Sequence, residues 1–303
     1  MSRFTRFALV FCTILLTAFG ARTAVAVEAA SQSMDEQMAR LLPEGTAVVV
    51  YTPSMSKLTT EVTDIVKQID PQMAGMLMFM GPQSLLSMQL NTKQKLRADM
   101  PAAIAVVPGK TMDADPAVVV IFAVHNATAE NVKANDKSMK LVFLEGTDWV
   151  AMTSGASFEP RAADAKAPAV STGLLPGMLS VAFDQAMVRT KYGESLQQEF
   201  ASMLNSENRG KSAAEKRIRA INDDIAAKLV NGFDRWDIGT DFNPEMPGWT
   251  IQYTPSSTDC LLQPSPDLVG LGNHLVTDLP MQMVLSKDVM LDVLAMGRMF
   301  ISS

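Results

Sequence analysis

From residue 46 onward, short runs of β-branched and small apolar residues alternate with longer runs in which apolar positions recur every three or four residues. The switch between those two periods marks the elements. The run 46–51 (TAVVVY) predicts a strand and 56–69 an amphipathic helix. The same order recurs at 178–183 followed by 191–204, and again at 281–285 followed by 287–299. Each strand is preceded by a Leu-Pro pair: Leu42-Pro43, Leu175-Pro176 and Leu279-Pro280. Proline fixes φ and lacks a donor, which suits the first residue of a strand. Three Leu-Pro, strand, helix units therefore read as a weak internal repeat.

Between the first two units, 102–107 and 117–124 predict a hairpin whose long loop holds Pro108, Gly109, Asp113, Asp115 and Pro116. Thr128 is placed to cap a short helix ending near Asp136, and 140–144 and 149–153 flank Glu145-Gly146-Thr147-Asp148 as a tighter hairpin. The alanine-rich stretch 162–171 has no periodicity and reads as a surface loop. The clearest helix is 212–229, where Ser212 and Glu215 form a capping box and Ala214, Ile218, Ile221, Ile225 and Leu229 fall on one stripe. Its other face mixes Lys216, Arg217, Arg219, Asp223, Asp224 and Lys228, as a solvated face does, and Gly232 ends it. Strands at 236–242 and 249–254 close the pattern as a hairpin around a turn with two prolines.

Hairpins with interspersed helices, and no regular βαβ alternation, imply an α+β fold: a mainly antiparallel sheet with amphipathic helices on one face. The expected organisation is an α+β domain over 27–205, a connecting amphipathic helix over 206–232, and a second, incomplete α+β unit over 233–303.

Residues 1–26 stand apart from this pattern. Arg3 and Arg6 precede an uncharged apolar stretch, 7–19, and Ala24-Val25-Ala26 supplies a small-residue cleavage pattern, so the segment reads as a secretory signal with a mature start at Val27. The stretch is too short to span a bilayer, which needs about 20 apolar residues, and no second long apolar run follows it. Bulky Phe11 before Cys12 argues against lipidation there, which leaves Cys260 as the one mature cysteine and removes an internal disulfide from the mature chain. With 48% hydrophobic and 19% charged residues, the chain has the composition of a packed globular protein. Its 26 basic against 32 acidic residues disfavour nucleic acid and anionic membrane surfaces as partners.

Candidate chemistry is sparse. His125 and His274 are the only histidines, with no metal-binding spacing around them, and neither a nucleophile elbow nor a phosphate-binding glycine loop is present. No cofactor is expected. Asp237 and Asp241 would share a strand face, and they read as solvent-facing residues rather than as a Ca²⁺ site, which needs six or more oxygens. The local anomaly is methionine: Met73, Met76, Met78 and Met80 offer thioether ligands suited to Cu(I). Alternatively Met76, Met80, Leu85 and Met88 form an adaptable apolar surface for a partner or ligand, or simply pack in a core.

The signal segment, the run Leu-Leu-Pro-Glu-Gly-Thr-Ala-Val-Val-Val-Tyr at 41–51 and Met-Pro-Ala-Ala-Ile-Ala-Val-Val at 100–107 resemble a loosely defined group of secreted bacterial envelope proteins of uncharacterised activity. The resemblance implies a Gram-negative envelope protein and carries no catalytic residue. The expected function is therefore that of an exported, periplasmic or secreted, non-enzymatic protein that binds an envelope protein or an apolar ligand. The alternatives are an enzyme whose groups meet only in the fold, and a methionine-based copper binder.

Overall fold

The structure, a computed structural model, describes residues 32–69, 71–72, 74–75, 81–154, 158–205, 213–241 and 248–256. The stretch 1–26 read as a signal, Met73, Met76, Met78, Met80, Ser212, Cys260, His274 and the third Leu-Pro unit lie outside them.

In chain order the elements are α1 (Glu36–Ala39), β1 (Val48–Thr52), α2 (Met55–Ile69), α3 (Pro82–Gln89), β2 (Leu90–Thr92), β3 (Ala102–Val107), β4 (Ala117–Ala123), β5 (Val132–Ala134), β6 (Met139–Phe143), β7 (Trp149–Ser154), β8 (Leu179–Asp184), α4 (Gln185–Leu204), α5 (Ala213–Asn231), β9 (Phe233–Asp241) and β10 (Gly248–Pro255). Eight strands form one sheet in the order β10-β9-β8-β1-β3-β4-β7-β6, and β2 pairs with β5 in a separate ribbon. β1 pairs antiparallel with both β3 and β8, and the pairs β3/β4, β4/β7 and β6/β7 are antiparallel as well. The chain is thus α+β with a mainly antiparallel sheet. Strands of the first two Leu-Pro units lie side by side at its centre, and from each the chain runs outward, through β3 and β4 on one side and β9 and β10 on the other.

By contact density the chain divides into two compact units. Among the described residues, one comprises 32–184 and 237–252, the other 185–236 and 253–256. In the first, strand alternation splits the apolar side chains between two faces. Val49, Tyr51, Ala103, Ala105, Val119, Ile121 and Ala151 point to a face covered by Met34, Met38, Leu41 and Leu42 around α1, and by Val170 and Leu174. Asp35 caps α1 by accepting from the Gln37 and Met38 N–H groups. Burial, with the charge of Asp35, pushes the Tyr51 hydroxyl above its usual pKa and keeps it neutral. On the other face Met55 of α2 and Leu86 of α3 pack with Leu90, Leu96, Phe122, Val124, Val150 and Met152.

In the second unit α4 and α5 form a helical hairpin held by amides. The buried Gln185 side chain donates to the Val230 carbonyl at 2.9 Å and accepts from the Trp236 indole at 2.7 Å. Near the other end Asn222 donates to Asn205 at 3.0 Å. Phe233, Trp236 and Tyr253 cluster with ring centroids 4.5 to 5.6 Å apart.

Four local expectations are corrected. The segment after Thr128 is a turn leading into β5, because the Asn131 side chain accepts from the Thr128 N–H and donates to the Asn126 carbonyl, and Val132 is drawn into the core opposite Thr92. The end of the 162–171 loop is interior: Val170 and Ser171 are buried, and the Ser171 carbonyl accepts from the Met34 N–H. α4 starts at Gln185, directly after β8, six residues before the predicted start at Lys191. On α5 the packed positions are Asn222, Ala226 and Val230, while Ile218 and Ile221 are exposed. That shift by one residue, about 100° around the helix, follows from the amide contacts at Asn205 and Gln185.

The chain before β8 and the middle of β9 approach closely at two glycines. A Cβ on Gly239 would stand 2.7 Å from the Pro176 carbonyl oxygen, and one on Gly177, whose φ is +154°, 2.4 Å from that of Thr240. Backbone oxygens cannot swing aside as a flexible side chain can. Gly239→Ala is expected to destabilise the fold by about 1–3 kcal/mol, as overpacking does, measured by chemical denaturation against wild type.

Candidate functional site

The antiparallel register aligns apolar side chains in rows across the sheet. Val181, Val50, Ile104, Val120, Met152 and Leu141 stand opposite one another across β8, β1, β3, β4, β7 and β6. With strands about 4.8 Å apart, the row spans about 24 Å. Beside it, Phe183, Val48, Val106 and Val118 form a second row on the same face. Cover is uneven. Toward β7 and β6 the face closes under the cluster containing Met152, Val150 and Phe122. Toward β3 and β1 the cover is partial: Val48 and Val106 are buried, Val50, Val120, Val181 and Phe183 are half-buried, and Ile104 is 42% and Val118 37% exposed.

An exposed leucine on a helix is unremarkable, but exposed β-branched residues on interior strands of an eight-stranded sheet are not, since those strands usually have both faces covered or one face polar. Full burial of each such side chain is worth about 1.5–3 kcal/mol. The open face can therefore hold an apolar group by desolvation alone. Ala103 and Ala105, the neighbours of Ile104 in β3, point to the other, fully covered face.

A polar cluster lies elsewhere in the same unit. Asp148 accepts from Arg97 at 2.9 Å and from the Asn126 N–H at 2.8 Å, and stands 3.9 Å from His125 Nδ1. Asn126 has a φ of +51°, a conformation Asn tolerates better than most residues. Partial burial raises the Asp148 pKa, but the Asn126 N–H, the Arg97 guanidinium and nearby His125 outweigh it, so the carboxyl titrates below its ordinary value. Each partner ties one segment to the next: the Arg97 N–H bonds the Ala123 carbonyl and the Val124 N–H the Asp148 carbonyl. The His125 side chain is 59% exposed. The arrangement is a clasp between the segments around Arg97, His125 and Asp148, with its carboxylate already engaged.

Leu85 and Met88 are exposed on α3, at 48% and 63%. Met76 and Met80, their proposed companions, are among the residues not described, as are the copper candidates Met73 and Met78. Asp237, expected at the surface, is instead buried, since β9 is an interior strand. Among the described residues no group of three His, Cys, Asp or Glu side chains is placed to hold a metal ion, and no helix is long and apolar enough to cross a membrane. Sequence reasoning missed Ile104 and Val118 because a continuous apolar run reads as buried on both faces, and nothing in its periodicity marks which face stays open.

No protein-family model, curated protein or solved structure matches the chain.

The depressed Asp148 pKa sets the sign of its pH dependence. Its contribution is present above the unfolded-state value of about 3.9 and is lost as pH falls through the lower folded value. Asp148→Asn should therefore cost about 1–2 kcal/mol at pH 7, and the difference from wild type should shrink toward pH 3, as read from denaturation midpoints at the two pH values.

Proposed function

We propose that the chain is an exported envelope protein, without catalytic chemistry of its own, that binds an apolar ligand on the open face of its sheet. The observation that carries this reading is the exposure of Ile104 in the middle of one apolar row and of Val118 at the end of the next, both on interior strands. Export rests on Arg3 and Arg6, the apolar stretch after them and the small residues before Val27. A ligand with an extended apolar body and few polar groups suits a face that offers side-chain surface and little hydrogen bonding. A second reading, in which a protein partner docks on α3, is supported by the neighbouring exposed pair Leu85 and Met88.

One titration separates the two. Purified from the envelope fraction, where its first residue should be Val27, the protein should raise the fluorescence of the apolar probe N-phenyl-1-naphthylamine. The pair Ile104→Ser and Val118→Ser should weaken that binding about tenfold or more, which is about 1.4 kcal/mol or more, with the thermal midpoint preserved. Leu85→Ser with Met88→Ser should leave it unchanged. Loss of binding in the α3 variant alone would move the site to α3, and a chain found in the cytoplasm with residue 1 intact would overturn export.

A further inference from the structure

A turn and a half of α5 is exposed all round. Every residue from 216 to 221 is exposed, Ile218 at 47% and Ile221 at 53%. Asn222, Ala226 and Val230 of the helix are buried, so Ile218 and Ile221 of the apolar stripe written into its sequence lie about 100° away from the positions it buries. Ile218 and Ile221 are three residues apart and Ile225 follows four later, the three-four spacing of a helix-pairing seam.

The charges beside that seam favour one occupant. Lys216, Arg217 and Arg219 lie toward the N-terminal end of the exposed stretch and Asp223 and Asp224 toward the C-terminal end, so its sign reverses along the helix. Arg217 and Asp224 are seven residues apart, each one residue before a seam isoleucine, and so flank the seam on the same side. In an antiparallel pair of identical helices, equivalent flanks meet: Arg217 of one copy faces Asp224 of the other, twice by symmetry. A parallel pair would not match them. Such a surface is self-complementary, as a two-fold interface requires. Among the described residues Asp224 pairs with the half-buried Lys228 at 3.1 Å, a contact that leaves it 61% exposed.

We propose that α5 is a self-association surface, on which a second copy of this chain packs antiparallel through Ile218 and Ile221, with Arg217 and Asp224 setting the orientation. Sedimentation equilibrium of the intact mature chain tests it. Wild type should sediment as a dimer at micromolar concentration, and Ile218→Ser with Ile221→Ser should raise the dissociation constant at least about tenfold. These are exposed positions, so the fold should survive, and the unfolding midpoint checks that it does. Arg217→Glu and Asp224→Arg should each weaken the dimer, and the two together should restore it. A monomeric wild type, a dimer indifferent to the serine pair, or a charge swap that fails to restore association would each overturn the proposal.

Discussion

A sheet whose central strands are apolar on both sides must be covered on both sides, and most of this structure follows from how unevenly that demand is met. β1 is hydrogen-bonded on each side and carries five residues, Val48, Val49, Val50, Tyr51 and Thr52, that alternate between the faces. On the Val49 and Tyr51 face the segment 34–42 and the stretch reaching Val170 and Leu174 complete a closed core. On the Val48 and Val50 face α2, α3 and the β2 ribbon cover the β7 end and leave Ile104 and Val118 in contact with water. The asymmetry makes one face a closed core and leaves part of the other in contact with water.

Polar groups in this chain do structural work at the joins. Asp148 holds Arg97 and Asn126, Gln185 holds Val230 and Trp236, and Asn205 holds Asn222. Each is a side chain spent on satisfying a neighbour rather than presented to a substrate. The proposed binding rests instead on apolar surface, where affinity comes from desolvation and shape.

The strands were legible from the sequence wherever an apolar run was bounded by Pro, Gly or a tight turn. β3 spans the predicted 102–107, and the β6/β7 hairpin turns at Gly146, whose φ of +73° is one that glycine adopts without strain. The antiparallel class followed from those hairpins. Tertiary context decided what local pattern could not. The α5 stripe is apolar, yet the described residues that pack are those held by the amides of Gln185 and Asn205, at the two ends of α4. Likewise the open face could not be found from β3, because Ala103, Ile104 and Ala105 are all apolar and only the register against β1 and β4 shows which side each takes.

The two faces of the same strands provide an internal control for the central claim. Methyl resonances of isoleucine and valine, followed by NMR as an apolar probe is added to the mature protein, report each face separately. Shifts are expected at Ile104, Val118, Val50 and Val181, with Val49, Val119 and Ile121 unmoved. Shifts confined to the second group, or no methyl shift on the sheet at saturating probe, would contradict that claim.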